Sequence, residues 1–379
     1  MDIYRINTSE TFSEPPVKVV QLKDGPQAGC PVSGDPSERK VKKIVDKSYL
    51  RTDRSEIRSY VQFLFFLLTL WIGIDFYLFV NGLEKGIVPT VQRPPGVEGF
   101  LPISALISLR YFILTGIVNH VHPSGFFIFV AALLISTLMK KGFCSWICPV
   151  GYISESLHQL GAKIFRRNFV LPKWIDIPLR SLKYLLMAFF LITVSTLSVI
   201  ELDGFIRSDY NKIADIKMYM FFAHISTFSL AVIGTLIFLS LFYKNFWCRY
   251  ACPYGALLGI TSLISPLKIR RIDQTCIDCG KCTDACPSLL PVDKLDVVNS
   301  AECTACYSCV EVCPVKNTLK FSVSAKSKGL SQRQYAFLLI GVYFGIVGVA
   351  MLVGLWQNSI SGAEYLELFR NIGAISHAL

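Results

Sequence analysis

Apolar residues collect along this chain in five long blocks, each able to cross a bilayer of about 30 Å as a helix of about 20 residues. They run roughly from Tyr60 to Val80, Gly125 to Met139, Leu182 to Ile200, Met218 to Tyr243 and Gln334 to Trp356. The second is short in strictly apolar residues, and Phe143 to Cys148 extend it at its inner end. A sixth stretch, Leu101 to Ile117, carries Arg110 near its middle and reads as an interfacial or re-entrant helix on the outer face. Polar sequence frames the blocks. Residues 1–58 are rich in charge, Pro and Gly, with basic clusters at Arg39, Lys40, Lys42, Lys43, Arg51, Arg54 and Arg58. This segment is expected to be a loosely ordered tail without the apolar core of a signal peptide.

Charge then orients the spans. The loop after the second block carries Lys140, Lys141, Lys163, Arg166, Arg167, Lys173, Arg180 and Lys183 against Glu155 and Asp176. The next loop is acidic, with Glu201, Asp203, Asp209 and Asp215, and the C-terminal tail carries Glu364 and Glu367. Positive charge gathers in cytoplasmic loops, so the N-terminus is predicted inside and the C-terminus outside. The formal charge of +11 is absorbed by this asymmetry, and no nucleic-acid partner is expected. The expected architecture is an all-α polytopic membrane bundle of about five helices with an inserted small α+β two-cluster ferredoxin domain. Its parts are a basic tail (1–58), a four-span domain (59–265), the insert (266–325) and a fifth span with an outer tail (326–379).

The insert is legible from its cysteines. CIDCGKCTDACP and CTACYSCVEVCP each follow C-x2-C-x2-C-x3-C-P, the bacterial ferredoxin run that holds [4Fe–4S] clusters, with the fourth cysteine serving the other cluster. The spacing therefore assigns Cys276, Cys279, Cys282 and Cys313 to one cluster, and Cys303, Cys306, Cys309 and Cys286 to a second. Zinc sites favour paired CxxC with longer gaps, and disulfides need an oxidising compartment. Of thirteen cysteines, twelve fall in such compact motifs, and Cys30 is left as an expected free thiol. Thiols of this kind place the insert on the reducing, cytoplasmic side.

A second constellation repeats at the inner ends of blocks two and four: FCSWICPVG and WCRYACPYG share C-x3-C-P-x-G. Residues four apart share a helix face, so Cys144 pairs with Cys148 and Cys248 with Cys252. The proline ends the helix or opens its next turn, and the glycine permits a tight bend. Two parallel repeats related by an axis along the membrane normal can bring all four thiols together. Packing, a soft metal, a third cluster and a redox-active dithiol all fit that arrangement. Towards the outer leaflet, His120, His122 and His224 form a candidate quinol site, with haem ligation by His122 and His224 as the sharper alternative.

The paired motifs Cys144, Cys148, Pro149 and Cys248, Cys252, Pro253, together with the eight ferredoxin cysteines, resemble the membrane-bound polyferredoxins of the NapH/NosR/CcoG group. The resemblance covers about residues 60–325. It implies a four-span core and electron transfer linked to quinols or periplasmic oxidoreductases in a bacterial inner membrane. The chain lacks the flavin domain of the nitrous-oxide branch and room for the immunoglobulin-like domain of the oxidase-assembly branch, and it adds a fifth span. The nearest architecture is the quinol-dehydrogenase subunit serving nitrate reduction.

Three functions follow as expectations. The first is an electron-transfer subunit joining the quinone pool, the [4Fe–4S] clusters and other respiratory subunits, since no nucleophile, nucleotide loop or general-base pair is visible. The second is a cupric-ion reductase. The third is an assembly or redox-sensing factor.

Overall fold

The computed structural model describes residues 56–165 and 169–375, with the strands β1 (Lys18–Val20) and β2 (Lys42–Ile44), which pair antiparallel. Cys30, Arg39, Lys40, Arg51, Arg54, Arg166, Arg167 and His377 lie outside the described residues.

The helical unit comprises 56–267, 299–306 and 331–379. Its first helix, α1 (Ile57–Glu84), is about 42 Å long at the α-helical rise, enough to cross the apolar layer. Arg58, expected in the tail, already belongs to α1; its guanidinium donates to the Ser145 carbonyl (3.1 Å) and pairs with Glu155. After a 3-10 turn over Pro95–Phe100 come α2 (Pro102–Thr115) and α3 (Pro123–Met139), each opened by a proline at its first position, where the missing N–H costs nothing. At 14 residues α2 is too short to span, as its Arg110 predicts. With 17 residues α3 covers only about 25 Å, so the second predicted span is a short apolar helix.

Next come α4 (Gly142–Trp146), α5 (Pro149–Phe165) and α6 (Lys173–Thr196), which starts nine residues before the predicted third block and runs through Pro178. Beyond it, α7 (Val199–Arg207) is held by a capping box in which Ser198 and Glu201 satisfy each other's backbone N–H. The short α8 (Asp209–Lys212) leads to α9 (Ala214–Ala223) and α10 (Thr227–Phe242). The predicted fourth span is this last pair, bent by 86° across 224–226. The described residues thus hold three helices long and apolar enough to cross a membrane (Ile57–Glu84, Trp174–Thr196, Gln332–Leu352), or four with the bent pair counted as one. A single π turn (Trp247–Ala251) and α11 (Pro253–Thr261) complete the stretch before the cluster motifs.

The smaller unit contains 268–298 and 307–330. Its sheet has the order β4-β3-β5, with β3 (Lys268–Arg271) antiparallel to both β4 (Val297–Val298) and β5 (Leu319–Ser322). Ile269 faces Phe321 across the register and both are buried. Between the strands lie α12 (Lys281–Asp284) and α13 (Ser308–Val312), one in each cysteine run.

The chain returns to the helical unit with α14 (Gln332–Leu352), which packs on α3, and α15 (Gly362–Arg370). Tyr335 of α14 donates to the Met139 carbonyl at 2.9 Å. Large apolar side chains stay exposed along α1, α6, α10 and α14, among them Leu64, Trp71, Phe189, Phe238 and Phe337. A water-facing surface would not carry such belts, whereas lipid solvates them. The chain is a membrane protein.

Candidate iron–sulfur centres

In the smaller unit, Cys276, Cys279, Cys282 and Cys313 line one cavity with Arg271 and Asp293. Cys313 lies within electrostatic reach of the other three, the cross-run grouping that the spacing predicts. Burial pushes the Cys282 and Cys313 thiols up, which disfavours a bare thiolate and leaves the site suited to a cationic iron core. Cys286, Cys303, Cys306 and Cys309 are all buried, and the Leu290 N–H points at Cys286 Sγ from 3.5 Å. All twelve described cysteines are free thiols.

The two runs are conformational copies. Left-handed backbone occurs at Asp278 and Gly280 in the first and at Ala305 and Tyr307 in the second, two and four residues after the leading cysteine. That conformation costs a non-glycine residue about 1 kcal/mol or more, so three of the four positions carry strain. Its effect is to curl the loop, and in the first run the three leading cysteines line one cavity. Nothing in the residue types at 278, 305 and 307 announced it.

In the helical unit, Cys144, Cys148, Cys248 and Cys252 converge: each thiol lies within electrostatic reach of the other three. Neither pair shares one continuous helix face. α4 ends at Trp146 and α5 begins at Pro149, so Cys148 stands at a helix entrance, with the N–H groups of Val150 and Gly151 on its sulfur. Cys252 caps α11 in the same way, accepting from the Gly255 N–H at 3.2 Å, while Cys248 rides the π turn. The prolines therefore open the following helix, whose N-terminal N–H groups and dipole favour a charged sulfur. The glycines supply room rather than a bend: a Cβ at Gly151 would stand 2.3 Å from the Cys144 carbonyl oxygen. Burial pushes the Cys144 thiol up to about 12 against the opposing Lys141 charge, and raises Cys148 and Cys248 as well.

Among the described residues no three His, Cys, Asp or Glu side chains are spaced to hold a single metal ion. A polynuclear cluster takes one thiolate on each of its iron atoms, and the ring offers four.

Around this ring the expected loop charges are buried. Lys140 and Lys183 are fully enclosed and Lys141 is 4 % exposed. The Lys183 ammonium bonds both carboxylate oxygens of Glu302 at 2.7 Å, and Tyr184 donates to the same group. Burial alone would raise the Glu302 carboxyl, but Lys141 and Lys183 outweigh it and hold it below the usual range. Arg249, next to Cys248, forks onto Asp176.

Glu302 belongs to the 299–306 loop, which carries Cys303 and Cys306 and is fastened to α4 beside Cys144. Ser145 Oγ donates to the Thr304 carbonyl at 2.6 Å, and the wholly buried Trp146 donates from Nε1 to the Ala305 carbonyl at 3.1 Å.

Known proteins bear on this geometry. A 4Fe-4S binding domain model matches 121–168 and 225–271, one match around each C-x3-C-P-x-G motif, and a 4Fe-4S dicluster domain model matches 268–314. The chain is 44 % identical over 326 residues, 84 % of its own length and 91 % of the relative's, to YccM of Escherichia coli K12, provisionally named an electron transport protein. The chain belongs to the NapH/NosR-type 4Fe-4S membrane electron-transfer family. The ferredoxin-type protein NapH of the same organism is 27 % identical over 209 residues, 52 % of this chain and 69 % of NapH. The regulatory protein NosR of Pseudomonas aeruginosa is 28 % identical over 190 residues, 48 % of this chain and 24 % of NosR. No solved structure matches. As a member of this family the chain is an iron–sulfur electron-transfer protein of the membrane.

The three histidines of the candidate outer site differ in their surroundings. His122 is buried, but both its ring nitrogens are engaged: Nε2 with the Asn211 carbonyl at 2.6 Å, and Nδ1 with Arg93 and Glu98 at 3.3 Å each. Haem ligation by His122 would have to break this network. His120 and His224 are exposed, the latter at the break between α9 and α10. Sequence reasoning missed what His122 serves, a buried ionic cluster in which Arg93 pairs with Glu98 (2.7 Å) and Asp215 (2.5 Å), while Glu98 accepts from Ser124 Oγ and the Gly125 N–H.

Proposed function

We propose that this chain relays electrons between the quinone pool and a periplasmic oxidoreductase partner through three iron–sulfur centres. The ligands are Cys276, Cys279, Cys282 and Cys313 for the first, and Cys303, Cys306, Cys309 and Cys286 for the second. Cys144, Cys148, Cys248 and Cys252 hold the third. A bound cluster takes up and returns one electron at a time. The chain's own residues bury the sulfurs, aim backbone N–H groups at them and keep water away. The observation that carries the relay is the fastening of the 299–306 loop to α4, which holds Cys303 and Cys306 beside the turn bearing Cys144. Four converging thiols are the number one cubane takes, and the ferredoxin cysteines held beside them favour a cluster there over a cupric site. A quinol arriving through lipid meets His224 exposed at the α9–α10 break.

The topology that goes with this reading is a bacterial inner-membrane protein of five crossings, with α3 as a short second one. The boundaries are those of a four-span domain (59–265), a cytoplasmic ferredoxin insert (266–325) and a last span (326–379). Reporter fusions after Phe165 and after Leu379 should report opposite sides of the membrane. Both reporting cytoplasm would rule out the five-crossing count.

Iron content tests the centres. Anaerobically purified protein should hold about twelve iron atoms per chain, and a Cys282→Ser variant should lose about four of them. Zinc in place of iron would end the reading.

A further inference from the structure

We propose that Lys141 is the fixed counter-cation of the four-cysteine centre and sets the potential at which that centre accepts an electron. This rests on the reading of Cys144, Cys148, Cys248 and Cys252 as cluster ligands.

Lys141 immediately precedes α4, the helix that bears Cys144, and its side chain is buried. Its ammonium lies 3.4 Å from the point a Cβ on Gly255 would occupy, and Cys252 Sγ lies 3.5 Å from that same point. Ammonium and sulfur thus lie against the same point beside the glycine at the entrance to α11, within about 7 Å of each other. Lys141 also reaches Cys144 and Cys248 electrostatically. On its other side Lys141 faces Glu302, a carboxylate it shares with Lys183 and Tyr184. An ammonium held in this low-dielectric place is costly without an anion, and the thiolates of the ring supply one.

Four thiolates leave an iron–sulfur cubane with a net negative charge, and each added electron deepens it. A nearby buried cation stabilises the reduced form more than the oxidised form. The step is a one-electron reduction of the iron core by the donor, with no bond to protein made or broken.

The test compares Lys141→Met and Lys141→Arg in the full chain in membranes, using iron content and redox titration followed by EPR. The signal of the centre is identified as the one absent from Cys248→Ser. Lys141→Met is expected to keep about twelve irons while its signal titrates at lower potential, by a tenfold or greater change in the reduction equilibrium, equivalent to 59 mV for one electron. Lys141→Arg should hold the wild-type potential. Loss of the centre's iron from Lys141→Met alone, with Lys141→Arg fully loaded, also supports a required cation. An unchanged potential in fully loaded Lys141→Met overturns the proposal, as does an equal shift or loss in Lys141→Arg. The underlying reading fails separately, if wild-type protein carries about eight irons and no signal disappears in Cys248→Ser.

Discussion

A Cys248→Ser variant is expected to lose about four of its twelve iron atoms, keep both ferredoxin clusters, and lose quinol-driven reduction of them. The serine oxygen is a poor iron ligand, and the π turn that carries it has no second sulfur to offer. The two ferredoxin sites draw on other cysteines, so their EPR signals on dithionite reduction should persist. Chemical reduction from the aqueous side bypasses the ring; reduction by quinol does not. Transfer from quinol at the wild-type rate would show that the C-x3-C-P-x-G motifs are packing elements and that electrons travel another way.

The largest effect on stability is expected at Arg93. Its side chain is 3 % exposed and pairs with two buried carboxylates, Glu98 and Asp215. Arg93→Met would leave both uncompensated, and breaking a buried pair in this way costs about 3–5 kcal/mol. Thermal unfolding of the purified protein in detergent should register the loss, and an unchanged midpoint would remove this cluster from the stability account. The network also sets a pH limit. Burial alone would raise the Glu98 carboxyl, but Arg93 and His122 hold it at about 2, far below its ordinary value of 4.5. A depressed carboxylate contributes stability above its unfolded pKa, so this share is complete above pH 4.5 and fades as pH falls toward 2.

What the sequence showed and what it hid divide along a physical line. Spacing that is chemically obligatory was legible: eight cysteines in two ferredoxin runs need no tertiary knowledge to be matched to iron, whereas the four in C-x3-C-P-x-G leave packing, a soft metal, a cluster and a dithiol open. Apolar blocks likewise announced α1 and α14 to within a few residues. Hidden features depend on partners far away in the chain. Lys183 and Glu302 are 119 residues apart, and Arg93 and Asp215 are 122 apart, so each charge looks solvated when only its neighbours are read. Lys140, Lys141 and Lys183 read in the sequence as charges of a cytoplasmic loop, yet they are enclosed. The break at 224–226 was equally silent, because apolar composition continues across it and records nothing of direction.

The fastening of 299–306 to α4 limits how interchangeable the iron-binding segment can be. Many soluble proteins carry the same eight-cysteine pattern, and exchanging one for residues 268–330 would preserve every ligand. Such a graft would lack Glu302 for Lys183 and the carbonyls of Thr304 and Ala305 in the places that Ser145 and Trp146 address. It would bind iron in a chimera whose wiring to the bundle had been cut. The 299–306 stretch is therefore as specific to this protein as any ligand, and insertions there should be far less tolerated than insertions of equal length at 324–329.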